Sequence, residues 1–298
     1  MKVLCFGSLN IDYTYSVPHF VQRGETLSAS QLRLFPGGKG LNQATALARA
    51  GLAVSLAGAI GEDGRFLLEI LHESGVDTRH VDVLPDVRTG HAIIQNDAGG
   101  DNCILVYGGA NHRTDREQID RVLADFGPGD VLTVQNEIRE LDYLIRAADG
   151  RGMRVALTPA PMNEAVAALP LEKLDWLFLN EVEGAALLGC DVEGDPLAAA
   201  EALRQRFGIG SVVLTLGAEG SAYAGAEGRF RQQAVKAEAV DTTGAGDTFA
   251  GFFLGGVLLG YDVPGAMRFA STAAAIAITR PGASSSIPVK AEVLEKME

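Results

Sequence analysis

The chain opens on a short apolar run, Val3–Phe6, that stops at Gly7-Ser8, the pattern of a buried strand. Residues 10–15 then alternate polar and apolar, as do 31–35, which predicts half-exposed strands. Residues 40–50 carry the Ala and Leu content of a helix and end at Gly51; 53–57 returns to strand, and 66–73 to a helix that ends at Gly75. Residues 89–95 and Asn102–Tyr107 flank Asp97-Ala98-Gly99-Gly100-Asp101, a hairpin signal. From Asp130 onward, strands at 131–134, 155–157, 176–179 and 212–216 alternate with helices at 138–148, Glu181–Leu188 and Pro196–Phe207. Residues 237–240 read as the end of a strand and 249–259 as a buried helix. This alternation predicts an α/β fold: a doubly wound, mostly parallel sheet with helices on both faces. No internal repeat or linker divides the chain, so residues 1–298 are read as a single α/β domain. Two pieces, 10–35 and 88–108, read as a small β-sheet inserted into it, a lid over a cleft at the strand ends.

Composition narrows the partners. The 298 residues are 47% hydrophobic and 21% charged, enough for a sizeable core. Formal net charge is −13 with no run of Lys or Arg, which argues against nucleic acid and against an anionic membrane surface. An anionic substrate would have to be held by local donors. Cys5, Cys103 and Cys190 are odd in number, far apart and without metal spacing, and read as reduced, buried cysteines of a cytosolic protein. Residues 1–9 are too short an apolar stretch for a signal peptide, and no segment has the length of a membrane span, so a cytoplasmic location is expected. The five histidines show no metal spacing and receive no role.

Candidate chemistry sits where strands give way to helices. In Asp241-Thr242-Thr243-Gly244-Ala245-Gly246-Asp247-Thr248-Phe249, two glycines let the backbone bend sharply and approach a ligand. A helix that starts just after such a turn points free N–H groups and its positive dipole end at an anion. Asp247 beside that anion can be the base that takes a hydroxyl proton in phosphoryl transfer, or simply a helix N-cap. Pro36-Gly37-Gly38-Lys39-Gly40-Leu41-Asn42-Gln43-Ala44 lacks P-loop spacing. Its Lys39 and Asn42 offer donors to hydroxyls or a phosphate, or Lys39 is a solvated loop lysine. Asn10 and Asp12 share one face of an extended chain, suited to adjacent sugar hydroxyls, or are turn formers. Glu137 follows a strand, where α/β folds bind ligands, or is a surface glutamate. Asn180 and Glu183 could hold a hydrated Mg²⁺, or form a capping box. Thr215-Leu216-Gly217-Ala218-Glu219-Gly220 could receive a nucleotide phosphate, or is an ordinary glycine turn.

Taken in order, these segments resemble one family, the ribokinase-like (PfkB) carbohydrate kinases. Gly37-Gly38-Lys39-Gly40 with Asn42 resembles its N-terminal signature, and Asp241 to Phe249 its C-terminal one. Thr158-Pro159-Ala160-Pro161, Asn180-Glu181-Val182-Glu183 and Thr215-Leu216-Gly217 extend the likeness over almost the whole chain. Gly7-Ser8-Leu9-Asn10-Ile11-Asp12, Gly109-Ala110-Asn111 and Ala273-Ala274-Ala275-Ile276-Ala277-Ile278-Thr279-Arg280 draw it closest to the family's ribokinases.

The resemblance implies Mg-ATP-dependent transfer of a γ-phosphate to a sugar's primary hydroxyl, with D-ribose the first choice of acceptor. Another furanose, a fructose-type ketose or a nucleoside is the alternative. It implies Asp247 as base and the backbone of Gly244, Ala245 and Gly246 as anion hole. Asn10, Asp12, Gly38, Lys39, Asn42 and Glu137 would hold the sugar. Asn180 and Glu183 would lie near the phosphates, Glu183 meeting Mg²⁺ through water. Thr215, Gly217 and Gly220 would form the nucleotide loop, and Ser271 would lie beside the adenine. It implies an activating K⁺ held by Asp241 and the backbone of Thr243, Ile278, Pro281 and Ala283, with Ser286 nearby. It also implies a homodimer through the lid. Thr158, where ribokinases commonly carry Asn, aromatic Tyr13 and Tyr15 after Asp12, and Ser271 depart from the pattern and bear on the sugar and the adenine rather than the reaction. A sugar- or nucleotide-binding regulator without catalysis would have lost the base or the glycines, and Asp247, Gly244 and Gly246 are all present.

Overall fold

The computed structural model describes every residue from 1 to 298 other than 100, 191 and 193. In chain order the strands are β1 (Val3–Phe6), β2 (Asn10–Ser16), β3 (Gln31–Gly37), β4 (Val54–Gly61), β5 (Asp77–Leu84), β6 (Gly90–Asn96), β7 (Asn102–Tyr107), β8 (Val131–Gln135), β9 (Arg154–Thr158), β10 (Trp176–Asn180), β11 (Ser211–Thr215), β12 (Ser221–Gly225) and β13 (Gly228–Gln232). The helices are α1 (Lys39–Arg49), α2 (Arg65–Glu73), α3 (Arg116–Leu123), α4 (Leu141–Gly150), α5 (Glu181–Leu188), α6 (Pro196–Phe207), α7 (Ala245–Leu258), α8 (Val263–Ala277) and α9 (Lys290–Met297).

The four residues of β1 are all buried and do not alternate, as expected of a strand covered on both faces. It lies inside a nine-stranded sheet of order β13-β12-β11-β10-β9-β8-β1-β4-β5, parallel except where β12 pairs antiparallel with β11 and β13. One face is packed by Leu41 and Leu47 of α1, Leu67 of α2, Phe252 and Phe253 of α7, Phe269 of α8 and Val293 of α9. The other is packed by Ile119 of α3, Leu144 of α4, Leu187 of α5 and Leu203 of α6. The doubly wound fold expected from the alternation is therefore present. From β1 the chain runs outward through β4 and β5, then restarts on the opposite side of β1 at β8. That reversal opens a crevice beyond the carboxyl ends of β1 and β8, where Gly7-Ser8 and Asn136-Glu137 lie.

β2, β3, β6 and β7 form the separate sheet, order β3-β2-β6-β7, expected as a lid. Its root is at the crevice, because Asn10 pairs with Gly37 on one side and Gly90 on the other. Helix α7 is buried without a break from Asp247 to Gly256, as an all-round apolar helix must be. It lies close on α1: a Cβ on Gly251 would come within 2.4 Å of Ala46 Cβ, and one on Gly255 within 2.8 Å of Ala50 Cβ. Glycine at these two places sets the start of α7 against the start of α1.

Several expectations are corrected. Residues 237–240 form no strand, because they lie outside the sheet and are exposed. The helix expected from 249 begins at Ala245, and the one expected from 138 at Leu141. Strands β5, β12 and β13 and helices α3, α8 and α9 were not anticipated. Cys5 is buried, but Cys103, on the wholly exposed strand β7, and Cys190 are exposed free thiols. The turn expected at 97–101 includes residue 100, which lies outside the described residues. Among the described residues, no helix is long and apolar enough to cross a membrane.

Candidate active site

The Gly-Gly-Lys-Gly turn is set by steric limits. Gly38 has φ 93°, and a Cβ there would come within 2.7 Å of the Ser8 carbonyl. A Cβ on Gly40 would come within 2.5 Å of Ser8 N, and one on Gly37 within 2.1 Å of the Asp12 carboxylate. Glycine thus lets the turn lie flat on the strand end Gly7-Ser8 and directly over Asp12. Burial, and secondarily Glu137, pushes the Asp12 carboxyl up to about 7. Glu137 accepts a very short hydrogen bond from Ser8 Oγ and another from the Lys39 backbone N–H at 3.2 Å. Asn10 is buried, its Oδ1 taking 2.7 Å from Asn111 Nδ2; Asn111 in turn accepts from Leu9 N–H at 3.0 Å.

Opposite stands the start of α7. Gly244 adopts φ 73° and serves as its N-cap without any side-chain cap bond, so Asp247 lies in the first turn and is not the cap. The Ala245 N–H closes a turn onto the Thr242 carbonyl at 3.2 Å, and Thr248 N–H is bonded to the Gly244 carbonyl at 2.8 Å. Among the described residues no acceptor meets the N–H groups of Gly244, Gly246 and Asp247. The free donors are therefore 244, 246 and 247 rather than 244–246. A Cβ on Gly246 would meet nothing within 4 Å, so the turn faces open space.

Asp247 is 6% exposed. Its Oδ2 accepts from Asn42 Nδ2 at 3.0 Å and its Oδ1 from Gln43 Nε2 at 3.1 Å. Lys39 is flanked by Asp247, Glu137 and Glu183. Asp247 leads in raising its pKa, against burial, so the ammonium stays charged. Asn180 and Glu183 do make the capping box: Glu183 N–H donates to Asn180 Oδ1 at 2.8 Å and Asn180 N–H to Glu183 Oε2 at 3.0 Å. Burial nevertheless raises the Glu183 carboxyl, with Asp247 adding to the effect.

A cleft of about 220 Å³ joins Lys39, Thr158, Asn180, Glu183, Gly244, Gly246 and Asp247. Of the residues expected to hold a sugar, only Lys39 lines it. Asn42 reaches the site through Asp247, while Asn10, Asp12, Gly38 and Glu137 lie beside it at the lid root. The cleft shares Asn180, Thr215, Thr242 and Gly246 with a larger one of about 1220 Å³, which includes Gly217, Gly220, Ser271 and Ile278. Gly217 and Gly220 have φ 52° and 99°, and a Cβ on Gly220 would strike the Gln232 carbonyl at 2.0 Å. The larger cleft also brings in Arg231 and Lys236, cations unforeseen because they lie in and after strand β13. Ser8 and Gln43 were likewise not singled out.

Behind the turn, Asp241 joins two loops. Its Oδ1 accepts from Thr243 N–H at 2.9 Å and its Oδ2 from Gly282 N–H at 2.8 Å. Those bonds hold its carboxyl below the usual carboxylate range, although burial opposes them. The Ile278 carbonyl accepts from the N–H groups of Val240 and Asp241, the Pro281 carbonyl from Ser285 Oγ and the Ala283 carbonyl from Ser286 Oγ. Among the described residues, no cluster of three or more His, Cys, Asp or Glu is placed to hold a metal ion.

Fold and sequence agree on the class. Residues 1–290 match the pfkB family carbohydrate kinases, and the chain belongs to that family. A ribokinase from Haemophilus influenzae is 36% identical, over 98% of this chain and 97% of its own length. A deoxyribokinase from Salmonella typhi is 31% identical, over 97% of this chain and 96% of its own length. The structure of Arabidopsis thaliana ribokinase complexed with ribose and ATP superposes with a TM-score of 0.89 at 29% identity, covering 100% of this chain and 98% of that one.

Proposed function

We propose that this carbohydrate kinase is a ribokinase, transferring the γ-phosphate of ATP to the primary hydroxyl of D-ribose to give ribose 5-phosphate. The observation that carries the reading is Asp247, a buried carboxylate held at both oxygens by amides, one residue after a glycine whose N–H is free at the start of a helix. Asp247 accepts the hydroxyl proton. The free N–H groups at 244, 246 and 247, with the α7 dipole and Lys39, hold the transferred phosphoryl group. Asn10, Asp12, Gly38, Asn42 and Glu137 receive the sugar at the lid root. Thr215, Gly217 and Gly220 receive the nucleotide phosphates, and Ser271 lies beside the base.

The donors present suit the two cations. Glu183, which among the described residues belongs to no cluster of three or more metal-ligating side chains, suits Mg²⁺ that keeps most of its water. When bound, Mg²⁺ neutralises charge developing on the phosphates. Asp241, the carbonyls of Thr243, Ile278, Pro281 and Ala283, and Ser286 offer only oxygen to a K⁺ behind the turn.

The whole chain, 1–298, works as one domain with 10–35 and 88–108 as its lid. The enzyme works in the cytoplasm without a nucleic acid or membrane partner. A second copy covers the outer lid, where Leu32, Leu34 and Leu105 are exposed on one face. An ADP-release assay over ribose, 2-deoxyribose, fructose and nucleosides tests the reading. Ribose is expected to give the highest kcat/KM, and faster turnover of any other acceptor refutes it.

A further inference from the structure

Gln43 belongs neither to the anion-binding turn nor to the sugar-holding set, yet its side chain is tightly held beside the cleft. It is 1% exposed, and both ends of its amide are committed. Its Oε1 accepts from Gln135 Nε2 at 2.7 Å and from Thr133 Oγ1 at 3.1 Å. Its Nε2 donates to Asp247 Oδ1 and to Thr158 Oγ1, both at 3.1 Å. The reversed amide would set an oxygen against the Asp247 carboxylate and leave the Gln135 amide facing a donor, so only one orientation satisfies the network. Three of the four bonds therefore run from β8 through Gln43 to the carboxylate, and the fourth is given to Thr158 Oγ1. Such a chain polarises its last N–H and strengthens the bond it gives.

We infer that Gln43 is a positioning residue for the reaction: it fixes the rotamer of Asp247 and keeps Oδ1 occupied as an acceptor. Each carboxylate oxygen then has one protein donor among the described residues, Gln43 at Oδ1 and Asn42 at Oδ2, which fixes the plane the carboxylate presents to the incoming hydroxyl. Thr133 and Gln135, two residues apart on β8 and both pointing at Gln43, are the rigid anchor of this device. The inference rests on Asp247 being the base.

The test is a double-mutant cycle with kcat and both KM values, each substrate varied while the other is saturating. Gln43→Met keeps length and burial and removes both ends of the amide. We expect kcat to fall about 10–100-fold, as displaced catalytic groups do, with both KM values within about threefold of the parent. In an Asp247→Asn background the same change is expected to cost less than about threefold more, because its effect passes through the carboxylate. A kcat within about threefold of the parent, or an equal further loss in the Asp247→Asn background, overturns the inference. Thr133→Val, isosteric and one bond further back, repeats the cycle if Gln43→Met does not fold. It is expected to lower kcat two- to tenfold, about one hydrogen bond's effect, again without further loss beside Asp247→Asn. An unchanged kcat or an additive loss there is equally fatal. Asp247→Asn alone separates the two readings: if it leaves kcat intact, the base assignment fails, whatever Gln43 does.

Discussion

Asp247 and Asp12 are both carboxylates of the proposed sugar site, and their surroundings differ. Asp247 is held by two amide donors and faces the charged Lys39, which fixes its carboxylate at the mouth of the helix. Asp247→Asn keeps the size and removes the basic oxygen, and kcat is expected to fall by about 10²–10⁴-fold with ATP affinity largely kept. Steady-state kinetics with an independent nucleotide-binding measurement checks this. Asp12 is half-buried with Glu137 as its main charged neighbour, and burial first, then Glu137, pushes its carboxyl up to about 7. Its folded pKa lies above the unfolded one, so the folded state holds the extra proton between them. The stability this contributes is full below the unfolded value and is lost as pH rises through about 7. Sugar binding runs the other way, since an ionised Asp12 accepts from two hydroxyls and a protonated one does not. KM for ribose is therefore expected to rise as pH falls from about 8 to about 6, with kcat changing less. A KM independent of pH across that range removes Asp12 from the sugar site.

The site depends on how closely two helices approach. Gly251 on α7 meets Ala46 on α1 with no room for a methyl group, and that contact brings Asp247 within reach of Asn42 and Gln43. Gly251→Ala is expected to destabilise the fold by about 1–3 kcal/mol, despite the better helix propensity of Ala, because the neighbouring atoms belong to packed helix backbone and a Cβ. Thermal unfolding measures it, and a rise in Tm contradicts the packing. The signals at 36–44 and 241–249 were legible because glycines beside a lysine or a carboxylate have few structural uses. The parallel strands were legible as unbroken apolar runs. β5 was not: it is an edge strand reading Asp77-Thr78-Arg79-His80-Val81-Asp82-Val83-Leu84, too polar to stand out. β12 and β13, five residues each and rich in glycine, alanine and arginine, carried little signal either. The first turn of α7 was hidden because Gly246 reads as loop. Gln43 was hidden because neighbours in sequence diverge on an ideal helix, and only the first turn of α1, seated under Asp247, lets residues 42 and 43 both reach one carboxylate.

The whole molecule carries a net charge of −13, an unfavourable field for ATP. The cleft answers it locally with Lys39, the free N–H groups of α7 and, in the larger cavity, Lys236, while Arg231 there is paired with Glu219. The lid's outer face presents the opposite imbalance: Leu105 is 67% exposed and Leu34, on the same face across β6 and β2, 52%. A patch of this kind marks an association surface. Leu105→Lys is expected to shift sedimentation from dimer toward monomer, and a parent protein that already sediments as a monomer contradicts the lid interface. The central claim is transfer of phosphate from ATP to one hydroxyl of ribose. The most direct measurement is ³¹P NMR of the product formed from ribose and ATP, with ADP quantified alongside. Ribose 5-phosphate in one-to-one proportion to ADP is the expected result. A phosphate on another hydroxyl, or no ADP above the level formed without sugar, contradicts it.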